Sequence, residues 1–230
     1  MSLRAKASAV ALAALASLLL APAATASSGS AQFTGRQLKA ALLPASDFVA
    51  GYTTPVENDT GRHLEHFTLY SLHSMSCQSF WLNIGRGYGF GDTAFASALV
   101  EDLTGALSPE EIFEESIYQF ASTHAAASFF SQLKAKYRSC RSTTTTSKAG
   151  KTTDTVHSTS TQRVGGHQAL AILDDAETGV PGPPLAIYLL WTIDGTDVYW
   201  ISATPLSTDP PQPTESSLAL KLIARVSHLR

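Results

Sequence analysis

Three histidines fall close together in "HLEHFTLYSLH", namely His63, His66 and His73, with Glu65 among them. Imidazole and carboxylate are zinc ligands, so a metal centre is the first chemistry to weigh. The run is rich in β-branched and aromatic residues and reads as a strand. On a strand His63 and His66 point to opposite faces, and no further ligand recurs at metal spacing, so no metal or other cofactor is expected. "GRGYGFGD" is glycine-rich but does not join a strand to a helix, and no Lys-Ser/Thr follows, so it is not a phosphate cradle. Gly-x-Ser-x-Gly, Ser-x-x-Lys and His-Glu-x-x-His are all absent. A catalytic set assembled from distant positions stays open beside a purely binding role.

The two cysteines, Cys77 and Cys140, carry the next possibility. A reactive thiolate needs nearby positive charge, and Lys136, Arg138 and Arg141 surround Cys140. The compartment favours a bridge instead. Arg4 and Lys6 precede the apolar run "ASAVALAALASLLLAPA", and Ala24-Thr25-Ala26 follows, the pattern of a secretory signal peptide over residues 1–26. Two cysteines in an exported chain allow one disulfide. No cysteine stands at the cleavage point, so a lipid anchor is not expected and the product should be secreted and extracellular, without a membrane anchor.

Two of the 16 basic residues leave with the leader, so 14 face 19 acidic ones, a net charge of −5. That balance excludes an electrostatic case for nucleic acid or an anionic membrane. The 204 residues that remain suit one domain.

Residues 27–32 read as a disordered lead-in and 33–230 as one domain. Thr34 caps a helix that ends at Pro44, and the turn-rich stretch 45–61 reads as loop. "CQSFWLNIGRG" gives a short helix, and "TAFASALVED" a strand. Across 110–120 Ile112, Glu114, Ser116, Tyr118 and Phe120 fall on one side, and a strand is expected through 115–121. Ser122 or Thr123 then caps a helix over 124–139 whose stripe Ala126, Phe129, Phe130, Leu133 and Tyr137 is a core face. Residues 141–163, dominated by threonine and serine, predict an exposed edge hairpin turning near Ala149-Gly150. "HQALAILDD" is a strand. "LAIYLLWTID" and "DVYWISATPL", joined by Gly195-Thr196, form a hairpin. A helix capped by Thr214 closes the chain. Strands joined by short turns, with helices beside them, argue for an α+β fold with a largely antiparallel sheet.

Six aromatic residues mark a candidate binding surface: Trp81, Tyr88, Tyr188, Trp191, Tyr199 and Trp200. Tyr199 and Trp200 must face opposite sides of the sheet, so one of them lies outside the local core or beneath a further layer.

In order, "LKAALLPASDFVAGY", a cysteine-led helix, "SIYQFASTHAAASFFSQLKAKYRSC", "VGGHQALAI", an aromatic hairpin and a closing helix resemble the actinobacterial PknH-like extracellular (sensor) domain family. "YQFASTHAAASFFSQLKAKYRSC" is the specific stretch. The resemblance implies an antiparallel sheet flanked by helices and a cleft for an unidentified extracellular ligand. It also carries over Cys77 and Cys140 as structural residues. Family members occur as the outer part of receptor Ser/Thr kinases, as lipoproteins and as free secreted proteins. This chain departs in showing no kinase, no transmembrane segment and no lipid-bearing cysteine, and in having one cysteine pair where the kinase-linked domains have two.

Overall fold

A computed structural model describes residues 32–48, 57–61, 72–84, 91–101, 112–147, 150–178, 185–204 and 214–230. Eight strands lie among them: β1 (Glu57–Gly61), β2 (Asp92–Glu101), β3 (Ile112–Phe120), β4 (Ser142–Ser147), β5 (Gly150–Val164), β6 (His167–Thr178), β7 (Leu185–Asp194) and β8 (Asp197–Thr204). They form one sheet in the order β1-β2-β3-β8-β7-β6-β5-β4. Every neighbouring pair is antiparallel. The four α-helices are α1 (Gly35–Ala41), α2 (Cys77–Ile84), α3 (Thr123–Ser139) and α4 (Glu215–Ser227).

Both faces of the sheet are apolar because both are covered. Leu38 and Ala41 of α1 and Leu218, Leu222 and Val226 of α4 pack with Ala94, Ala96, Ala98, Val100, Ile117, Tyr199 and Ile201. The alternate residues of the same strands face the other way. Phe95, Tyr118, Val198 and Trp200 meet Phe80 of α2 and Phe129, Phe130, Leu133 and Tyr137 of α3. Tyr199 and Trp200 do point to opposite faces, and each is buried beneath a helical layer. Central strand β8 is accordingly buried along its whole length.

The ends of these elements follow their sequences. The Thr34 side chain accepts the N–H of Gln37, and the Gln37 side chain returns the bond to the Thr34 backbone, a full capping box. Ser122 accepts the N–H of Ala125, and Thr214 that of Ser217. Gly165 and Gly166, at φ +57° and +91°, turn β5 into β6 as a two-residue hairpin requires.

Cys77 opens α2, Cys140 follows the last residue of α3, and the two are bridged with Cα atoms 5.2 Å apart. The indole N–H of Trp81 donates to the carbonyl of Cys140 at 3.2 Å, and Phe80 and Trp81 both meet Tyr137 edge-on. The bridge therefore ties two helices that are already packed.

Two sequence expectations change. The stretch 57–61, read as loop, is edge strand β1; "ENDTG" has no apolar pattern, and its extended form comes from pairing with β2. The strand expected over 63–73 lies mostly outside the described residues, and at its end Leu72–Ser74 forms a 3-10 turn. The threonine-rich hairpin is present as the antiparallel pair β4 and β5; the turn expected near Ala149-Gly150 lies partly outside the described residues.

Candidate functional site

Helix α3 lies over β3, β8 and β7, where its apolar stripe seals most of that face. Trp191 and Trp200, directly paired across β7 and β8, stack there with centroids 5.5 Å apart and planes at 14°. This core has polar tips. The indole nitrogens of Trp191 and Trp200, the hydroxyl of Tyr137 and Oδ1 of Asp174 are buried and make no hydrogen bond among the described residues. The Trp191 N–H lies toward the Tyr137 hydroxyl without hydrogen-bond geometry. A buried polar group left without a partner costs about 1–3 kcal/mol. On the opposite face the Thr192 hydroxyl is buried in the same way.

Beside this core, the same face of the sheet turns polar. Register aligns Ser97 with Ser116 and Trp200, and Leu99 with Glu114 and Ser202; Ile112 stands opposite Thr204. Ser116, Ser202 and Thr204 are buried, whereas Ser97, Leu99, Ile112 and Glu114 keep part of their surface. Leu99 and Ile112 join neither apolar core. Hydroxyls and a carboxyl thus form a polar floor that shares this face with two aliphatic side chains, a mixture suited to a small polar ligand.

Burial alone raises the Glu114 carboxyl to about 7. Asp174, three strands away on this face, is also raised to about 7, first by burial and then by Asp154; the backbone N–H of Asp175 opposes the shift. Register gives the floor no lysine, arginine or histidine among the described residues. Such a surface can hold a neutral hydroxyl-rich or a cationic group and disfavours an anion. Elsewhere, His157 meets Asp175 at 2.6 Å and His167 meets Asp194 at 3.4 Å, and among the described residues neither ring bonds a serine hydroxyl.

Of the six aromatic candidates, Trp191 and Trp200 come together under α3, and Trp81 reaches the same core through Tyr137. Tyr199 faces α1 and α4. Tyr188 stands 41% exposed near the start of α4, and Tyr88 lies outside the described residues. His63 and His66 lie outside them too, and His73 sits exposed on the 3-10 turn. Glu114, Ser116, Ser202 and Asp174 were not singled out. The available signal was an acid and a serine on the same side of a strand as Tyr118 and Phe120.

The profile of the PknH-like extracellular domain matches residues 33–186, and the chain belongs to that family. Among solved structures it is similar to the extracellular domain of PknH from Mycobacterium tuberculosis, at 14% identity and a TM-score of 0.59. That likeness covers 86% of this chain and 98% of the other, and it establishes the shared α+β fold. No curated protein matches. No helix among the described residues is long and apolar enough to cross a membrane.

Proposed function

We propose that residues 33–230 form one exported, non-catalytic binding domain of sensor type, with residues 1–26 as its export signal. Its ligand, a small neutral or cationic polar molecule of the cell envelope, rests on the floor formed by Ser97, Glu114, Ser116, Ser202 and Thr204. The observation that carries this reading is the part-exposed carboxyl of Glu114 set among the buried hydroxyls of Ser116, Ser202 and Thr204, where a ligand rich in hydroxyl or amino groups would find hydrogen-bond partners. Membership of a family of extracellular domains supports the sensor class and the compartment.

Native mass spectrometry of protein secreted by its own host is expected to show a small molecule held in the folded chain. A panel of esterase, peptidase and glycosidase substrates is expected to stay unchanged. Turnover abolished by substituting one histidine would replace the binding role with a hydrolytic one.

A further inference from the structure

The serine- and threonine-rich hairpin has no part in that site, yet among the described residues it leaves an open backbone edge. Strand β5 runs for 15 residues and β4 for only 6, so β4 covers Gly150–Thr155 alone. Past that point the guanidinium of Arg141 donates to the carbonyls of Val156 and His157, at 3.1 and 2.9 Å, closing off the β4 side. From Ser158 to Val164 β5 pairs with β6 on one side, and no described strand pairs with it on the other. Ser158, Ser160, Thr161, Gln162 and Arg163 are exposed.

Open edges are ordinarily guarded by proline, lysine, an inward charge or a bulge in mid-strand. Ser158–Gln162 contains no proline, glycine or charge, and the register irregularity in the middle of β5, between Val156 and Ser158, falls just before this segment rather than within it. The segment is also matched to itself. An antiparallel partner centred on Ser160 sets Ser160 against Ser160, Thr159 against Thr161 and Ser158 against Gln162. All of these side chains both donate and accept hydrogen bonds.

We propose that two copies of this chain pair edge to edge along Ser158–Gln162, joining two sheets into one across a two-fold axis normal to the sheet. That axis puts the α2/α3 faces of both copies on the same side. A ladder this short belongs among small, transient interfaces below ~1,200 Å², so association builds up only at high protein concentration.

Sedimentation velocity of the mature secreted chain, from about 10 μM to about 1 mM, is expected to show a concentration-dependent dimer. Ser160→Lys and Ser160→Glu each set like charges face to face and are expected to stay monomeric with unchanged melting, while their equimolar mixture dimerises. On oxidation Ser160→Cys is expected to cross-link as a dimer; Ser158→Cys, whose two-fold mate is Gln162, is not. A wild-type chain that stays monomeric throughout, a Ser160→Lys chain that dimerises as well as wild type, or a mixture that stays monomeric would each overturn the proposal.

Discussion

Glu114 brings the physics of the site down to one side chain. Its carboxyl is raised from 4.5 to about 7, so the folded chain holds this proton more tightly than the unfolded chain does. Below pH 4.5 both states are protonated and the residue costs nothing. As pH climbs from 4.5 to 7 the unfolded state ionises first and stability falls, and above 7 the loss is complete. Glu114→Gln removes that loss, and part-exposure trims it, so the variant should exceed wild type by about 1–2 kcal/mol at pH 8 and match it near pH 4. Urea unfolding at the two pH values measures the difference. The turn glycines give a second residue-scale comparison. A Cβ on Gly165 would meet Cδ2 of Leu220, whereas one on Gly166 meets nothing within 4 Å. Both sit at positive φ, so each alanine costs about 1 kcal/mol: Gly165→Ala needs the flexible end of Leu220 to shift, and Gly166→Ala holds a side chain at φ +91°, outside the left-handed well. Thermal melts of both variants should fall below wild type.

Among the elements, α2 and α3 depend on a covalent tie and on packing together. The Cys77–Cys140 bridge spans 63 residues, which the chain-entropy treatment equates to about 4 kcal/mol. Replacing both cysteines with serine should lower the denaturation free energy by that order. Phe129, packed on Phe120 and Trp191, should cost about 3–5 kcal/mol when cut to alanine. The element scale is also where the sequence was most legible. The stripe Ala126, Phe129, Phe130, Leu133 and Tyr137 is the buried face of α3 residue for residue, and the caps at Thr34, Ser122 and Thr214 all form. Strand β1 was hidden because an edge strand of polar residues takes its conformation from its neighbour. The polar floor was hidden for a related reason. Ser116 and Trp200 meet through the β3–β8 register, which local periodicity does not encode.

Across the whole molecule, one buried carboxylate ties together distant parts of the chain. Asp197 is fully buried, paired with Arg230 and bonded by Gln119 and Thr196, and the Gln119 side chain also accepts the backbone N–H of Phe33. Arg230→Ala strands that charge, and with one partner near the surface the cost should be about 2–3 kcal/mol, read from chemical denaturation. This anchor and the two helical layers hold the sheet as a rigid platform, and the floor beside α3 is where that platform would meet a ligand. Native mass spectrometry of wild type and Glu114→Leu, both purified from the secreting host, tests that most directly. Wild type should carry an added small-molecule mass, and the variant, folded and melting no lower, should arrive without it. An identical added mass on both chains, or none on the wild type, would contradict a binding role for this face.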